Sequence, residues 1–228
     1  MEFLNDPAVR LLVDLVSVPG PSGQESAAAG LLASRLPFLG WESVEIDAIG
    51  NVVASRGSGA EEFLLLGHID TVPGGPAVRI EGNTLWGRGS VDARGPLCAF
   101  AAAGGQAPVP AGARLTLVAA VSEETDSAGI RYRLPLHQPA ACLVGEPSGT
   151  DGITLAYRGF LQVRLECEDT GSHRSSGTSP LTACLEAAAA ILGGLQREDD
   201  SEKPALERTT ANVLSMTGSE EDGRKASI

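Results

Sequence analysis

Apolar residues fall into two rhythms along the chain. Over residues 7–18, Val9, Leu11, Leu12, Leu15 and Val16 recur at helical spacing, and Pro7 suits a first helical turn, where its missing N–H is not needed. Ser22-Gly23-Gln24-Glu25 has the form of a capping box and predicts a second helix over 27–36. The period then shortens. Residues 44–46, 51–55 and 63–66 are brief β-leaning runs between glycine-bearing turns, and the last is apolar throughout, as in a strand covered on both faces. Residues 78–80 and 84–86, joined by Glu81-Gly82-Asn83, predict a hairpin. An alanine-rich helix near 96–103, a strand over 114–121, a short helix after Asp126 and a strand over 140–144 complete an alternation of strands and helices. That alternation predicts an α/β layer with a mixed sheet.

Beyond Ala156 the texture changes. Residues 160–168 alternate apolar and polar like a strand with one exposed face, and 179–192 read as a strong helix, so a second, smaller α+β unit is expected over 157–228 beside a first domain over 1–156. Residues 212–216 read as a further strand of that unit. The stretch 196–225 is polar and acidic, which suits a solvated connection.

Charge and composition narrow the function. With 29 Asp and Glu against 17 Lys and Arg, the net charge of -12 leaves no cationic excess for phosphates, which argues against generic nucleic-acid or anionic-membrane binding. Metal cations or cationic substrates fit the sign better. The four cysteines, Cys98, Cys142, Cys167 and Cys184, form no Cys-x-x-Cys pair and read as reduced thiols. The first ten residues lack the basic and apolar segments of a secretory signal, and no apolar run approaches the roughly 20 residues a membrane helix needs, so a cytoplasmic protein is expected.

Residues able to do chemistry gather where predicted strands end: His68 and Asp70 after the run 63–66, Asp92 in Gly87-Arg88-Gly89-Ser90-Val91-Asp92, Glu123-Glu124 after the run 114–121, and Glu146 after the run 140–144. Open α/β sheets assemble functional groups beyond the carboxyl ends of their strands. An imidazole and several carboxylates brought together there repel or protonate one another unless cations sit among them. Histidine and carboxylate ligands suit Zn²⁺, with Co²⁺ or Mn²⁺ as alternatives, and a bridging carboxylate holds two ions about 3.5 to 4 Å apart. Taken singly, each element has a bland reading: a strand-end histidine, a solvated Glu-Glu loop, a Gly-Arg-Gly turn. Four strand ends carrying metal-type residues at once make chance a poor account.

At these residues the chain resembles the M20 family of metallopeptidases and deacylases. Gly67-His68-Ile69-Asp70-Thr71-Val72-Pro73, Leu85-Trp86-Gly87-Arg88-Gly89-Ser90-Val91-Asp92-Ala93-Arg94-Gly95, Ser122-Glu123-Glu124 and Val144-Gly145-Glu146-Pro147 match its motifs in order and spacing. Within the family, Val144-Gly145-Glu146-Pro147-Ser148-Gly149, Asp151-Gly152 and Tyr157-Arg158-Gly159 resemble the LysK branch, hydrolases of amino-group carrier proteins in lysine and ornithine biosynthesis. The resemblance implies a zinc-peptidase-like catalytic domain with a partial lid or dimerisation domain. It implies two divalent ions, with His68 and Glu146 on one, Asp92 bridging, and Glu124 on the other. It also implies Asp70 as the carboxylate orienting His68 and Glu123 as the general base that takes a proton from the attacking water and returns it to the leaving amine. His173, in Gly171-Ser172-His173-Arg174, aligns with a lid histidine that reaches the partner subunit's site in dimeric relatives and steadies an oxyanion, although Arg174 departs from the usual small neighbour. His137 matches no motif and reads as structural.

The branch implies release of lysine or ornithine from the γ-carboxyl of a carrier protein's terminal glutamate. N-acetylornithine or N-succinyl-diaminopimelate deacylation is the alternative within the family. One departure stands out. Family members continue through the rest of the lid to a final histidine of the second metal site, whereas this sequence has three histidines, His68, His137 and His173, none in that position. A C-terminally truncated chain is therefore expected, and a non-catalytic fragment is the alternative of another class.

Overall fold

The computed structural model describes residues 5–149, 151–168, 179–196, 204, 207–218 and 225–227. They form two compact units, Met1–Thr150 and Asp151–Ile228. The first opens with helix α1 (Pro7–Val16), whose N-cap Asp6 accepts hydrogen bonds from the main-chain N–H of Ala8 and Val9 through one carboxylate oxygen. That bond satisfies two of the donors a helix start leaves free.

Helix α2 (Ser26–Arg35) begins where expected, but its start is not a capping box. Ser22 Oγ donates instead to Asp70 Oδ2 at 2.7 Å, and Glu25 Oε1 accepts from the main-chain N–H of Gly23 and of Ser122 at 2.8 and 3.0 Å. Gly23, at φ 82°, turns the chain sharply between them, so both side chains are aimed at neighbouring loops rather than at the helix's own N–H groups.

The sheet of this unit contains β1 (Ser43–Ile46), β2 (Val52–Arg56), β3 (Glu61–His68), β6 (Ala113–Ala120) and β7 (Ala141–Val144), in the spatial order β1-β2-β6-β3-β7. β1, β2 and β6 pair antiparallel, whereas β3 runs parallel to both β6 and β7, so the sheet is mixed. Alternate residues of β3 feed opposite faces. Leu65 joins the main core, and Leu64 and Leu66 pack with Val53 and Val118 on the other side. The hairpin β4 (Arg79–Glu81) and β5 (Thr84–Trp86) stands apart as a two-stranded ribbon, with the Arg79 guanidinium over the Trp86 ring at 4.5 Å.

The main core lies between the sheet and helices α1, α2 and α3 (Arg94–Gln106), with Leu15, Leu32, Leu36, Leu97 and Leu117 fully enclosed. Burying such a side chain contributes about 1.5–3 kcal/mol. With few aromatic residues, Trp41 is the exception: its Nε1 donates to Ala101 O at 2.8 Å, and its ring lies so close to Gly104 that a Cβ there would meet Trp41 Cζ2 at 2.7 Å. A short helix α4 (Ala128–Arg133) follows β6. Beyond it His137 Nδ1 sits 3.1 Å from the Glu62 carboxylate, while the Arg133 guanidinium donates to His137 Nε2.

The second unit holds helix α5 (Pro180–Gln196) and a sheet ordered β8 (Glu166–Glu168), β10 (Lys225–Ser227), β9 (Thr217–Gly218), all antiparallel. Two expected strands come out shorter or displaced. A strand needs a neighbour to take its backbone groups. Among the described residues only Glu166–Glu168 of the run 160–168 has one, and 212–216 are irregular, with the strand starting at Thr217. No helix among the described residues is long and apolar enough to cross a membrane.

Candidate metal centre

The parallel register of β3 with its two neighbours builds the site. His68 is level with Ala120 of β6, and Leu66 with Val144 of β7, so the three strands end side by side. The residues that follow each end therefore emerge at one edge: Ile69-Asp70 after β3, Ser122-Glu123-Glu124 after β6, and Gly145-Glu146 after β7. Asp92 arrives from the turn between β5 and α3. Glu25 holds the loop after β6, where Ser122 adopts a left-handed conformation at φ 57°. A non-glycine residue held there costs on the order of 1 kcal/mol, which the two Ser122 donors to Glu25 offset. The turn points the main-chain N–H groups of Glu123 and Glu124 at Asp70, at 3.0 and 3.1 Å from its two carboxylate oxygens.

His68 is almost wholly buried, at 2% exposure. Its Nδ1 lies 3.1 Å from Asp70 O and 3.4 Å from Asp70 Oδ1. Its Nε2 faces acceptors alone: Asp92 Oδ1 at 3.3 Å, Glu146 Oε1 at 3.6 Å and Glu123 Oε2 at 3.9 Å. Ligand atoms of His68, Asp92 and Glu146 all lie within 4.8 Å of one another.

The electrostatics register the crowding. Burial alone would push the His68 imidazole down, but the hydrogen bond to Asp70 and the charges of Glu146, Glu123 and Asp70 raise it to about 9. Glu146 is pushed up by burial and by Asp92, Glu123 and Glu124, with His68 opposing. Glu124 is pushed up by burial and Asp92. Asp70, despite its burial, is held low by His68, Ser22 and the two main-chain donors. A nitrogen lone pair ringed by carboxylates needs a proton or a cation. Three convergent donors from separate elements, with the imidazole's far nitrogen held by a carboxylate, form a donor set that fits a divalent metal ion.

Of the residues singled out in the sequence, His68, Asp92 and Glu146 converge on one point, Glu123 borders it, and Glu124 lies within electrostatic reach of Asp92 and His68. Asp70 lies directly behind the imidazole. His173 lies outside the described residues. Ser22 and Glu25, which the sequence predicts as a helix start, brace the site instead. The signal for this was the turn-rich Pro19-Gly20-Pro21-Ser22-Gly23, which leaves Ser22 on a loop and Glu25 at its junction with the helix.

Comparison with known proteins bears on the family through sequence and on the fold through structure. The Peptidase family M20/M25/M40 matches residues 64–218. A LysW-lysine hydrolase of Deinococcus radiodurans is 43% identical over 177 residues, which cover 75% of this chain and 49% of that protein. A putative LysW-lysine/LysW-ornithine hydrolase of Aeropyrum pernix is 36% identical over 219 residues, covering 92% of this chain and 60% of that one. The chain thus spans about half the length of the curated relatives it matches. Among solved structures, a Staphylococcus aureus tripeptidase aligns with a TM-score of 0.64 at 18% identity, over 97% of this chain and 64% of that one. A dinuclear metal binding peptidase of family M20 from Bacillus subtilis aligns at 0.61 and 16%, over 100% of this chain and 63% of that one. At such identities these two show a shared fold.

Proposed function

This chain belongs to peptidase family M20/M25/M40, and from that membership we propose that it is a metal-dependent amidohydrolase that releases lysine or ornithine from the γ-glutamyl end of an amino-group carrier protein. The observation that carries the hydrolase reading is His68 Nε2, set against three carboxylates while Asp70 holds the ring from behind. The names of the relatives from Deinococcus and Aeropyrum support the substrate.

In this reading His68, Asp92 and Glu146 would hold one ion and Glu124, with Asp92, would serve a second, zinc being the first candidate and cobalt the next. A divalent cation there would supply Lewis acidity for the amide carbonyl and for deprotonation of water. Glu123, with a carboxylate oxygen 3.9 Å from His68 Nε2 and a side chain 39% exposed, borders the donor cluster while remaining open to substrate. It takes the proton from the attacking water and delivers it to the departing amine. Asp70 fixes the imidazole and, through the N–H groups of Glu123 and Glu124, the loop that carries the base. We assign the protein to the cytoplasm: the cysteines form no Cys-x-x-Cys pair, and Cys98 and Cys142 are thiols, which suits a reducing compartment.

The test is lysine release from a peptide ending in γ-glutamyl-lysine, followed by amino-acid analysis with and without added Zn²⁺ or Co²⁺. Metal-dependent release that chelation abolishes is expected. Glu123→Gln should lower the rate by about 10²–10⁴-fold while leaving metal content unchanged. Metal-loaded protein that leaves this peptide and acetylated or succinylated analogues intact would remove the hydrolase reading and leave the family assignment standing.

A further inference from the structure

Away from the donor cluster, the turn from β1 to β2 sets a buried polar side chain against the loop that carries Glu123. Asn51 is wholly enclosed. Its main-chain N–H, like those of Ile49 and Gly50, donates to Asp47 Oδ1, so the turn is closed on itself. The Asn51 carboxamide reaches out of that turn. Its Oδ1 accepts from the Val121 N–H at 3.0 Å, and its Nδ2 donates to Gly129 O at 3.2 Å and to Asp47 Oδ2 at 2.8 Å. These partners dictate which way the amide faces: turned over, it would set N–H₂ against an N–H and its oxygen against a carboxylate and a carbonyl.

Val121 and Gly129 are the two ends of the loop that carries Glu123 and Glu124. The Gly129 N–H donates to Val121 O at 3.2 Å, so the neck of the loop closes as a ring of hydrogen bonds through Val121, Gly129 and Asn51. Inside the neck, Ser127 N–H donates to Ser122 O at 2.8 Å, and both serines are left-handed, at φ 55° and 57°. The fit is tight, since a Cβ on Gly129 would collide with Asn51 Oδ1 and with the main chain of Val121. Asn51 enters from the β2 side, where Val52 is level with Ala119 of β6, and not from a segment bearing a metal donor. A base misplaced by about 1 Å can lose on the order of 10²-fold in rate, so a residue that fixes the neck of this loop acts on turnover.

We propose that Asn51 is a positioning residue for proton transfer at Glu123: it clamps both ends of the loop and thereby fixes where the base stands. The inference rests on the hydrolase reading above.

Asn51→Leu keeps the shape of the side chain and removes both polar ends. Gly129→Ala opens the same neck from the other side and carries the test if Asn51→Leu does not fold. Glu62→Gln, which removes an acceptor of Thr116 Oγ1 and His137 at the start of β3, is the control for a general loss of stability. With Zn²⁺-loaded protein and a γ-glutamyl-lysine peptide, both neck variants should lose about 10- to 100-fold in kcat with KM unchanged, and Glu62→Gln should keep the parent's kcat. Affinity for a first Zn²⁺, by chelator competition, should hold, because His68, Asp92 and Glu146 lie outside the loop. Amide hydrogen exchange across 121–129 should quicken in both neck variants, a readout that needs no turnover. The inference is overturned if either folded variant keeps the parent's kcat, if KM rises in place of the loss in kcat, if Zn²⁺ affinity falls in step, if Glu62→Gln loses as much, or if exchange is unchanged. A parent that binds Zn²⁺ and cleaves nothing removes the hydrolase reading and this inference with it, whereas an active parent with unaffected variants removes this inference alone.

Discussion

The Asp70 carboxylate takes three donors at once, Ser22 Oγ and the main-chain N–H groups of Glu123 and Glu124, while its own carbonyl meets His68 Nδ1. Changing it should act on metal affinity before anything else. Asp70→Asn keeps the size but turns an amide N–H₂ toward groups that are themselves donors, so metal affinity is expected to fall about 10- to 100-fold. Competition against a chromophoric chelator measures it, and unchanged affinity would show that the imidazole is oriented by the Asp70 carbonyl alone. The residue types at the centre were legible in the sequence because strand ends and motif spacing mark them. The bracing by Ser22 and Glu25 was not, because a Ser-x-x-Glu pattern reads the same whether it caps its own helix or ties down a loop distant in sequence. Only Gly23's left-handed turn decides between them.

At the scale of elements, β6 and the start of α2 are joined through Glu25, which takes the N–H and the hydroxyl of Ser122. Glu25→Ala should therefore cost about 1–3 kcal/mol, through three orphaned donors, the N–H of Gly23 among them, and a strained turn. Denaturant unfolding measures the loss, and Glu25→Gln should recover part of it. A second tie lies at the other end of the sheet. Glu62, buried at the start of β3, accepts from Thr116 Oγ1 at 2.7 Å and meets His137 and Arg114. Although burial opposes it, these partners hold the Glu62 carboxyl below its ordinary value of 4.5. A depressed folded-state value means the unfolded chain binds the proton more readily, so the tie is at full strength above about pH 4.5 and is lost as pH falls through the lower folded value. The stability gap between the parent and Glu62→Gln, followed by thermal unfolding against pH, should be flat above about pH 5.5 and close below 4.5. Helices and strands of the first unit were legible because periodicity and turn residues agree there. The sheet of the second unit was less so: alternation over 160–168 specifies a strand, but which part pairs depends on β10, far along the chain.

For the whole molecule, the sequence shows an acidic chain, and the structure shows where some of that acidity is concentrated. Asp92, Glu123, Glu124 and Glu146 crowd the ends of three strands and the turn before α3, a repulsion that a bound cation relieves. Divalent metal should then raise the unfolding midpoint of the first unit, by about 2.7 kcal/mol of stability at a hundredfold excess over Kd, and chelation should reverse it. His68→Ala should abolish the shift, and a shift that survives it would place the ion elsewhere. Elsewhere in the first unit Gly20 lies against the buried guanidinium of Arg94, where a Cβ on Gly20 would fall 2.4 Å from Nη2. The two positions lie on separate segments, yet one has room for no more than a hydrogen because the other fills the space. In any lineage of this protein they are expected to drift as a pair: a larger residue at the first becomes tolerable only once the second has shortened, so the history of one should be readable in the other.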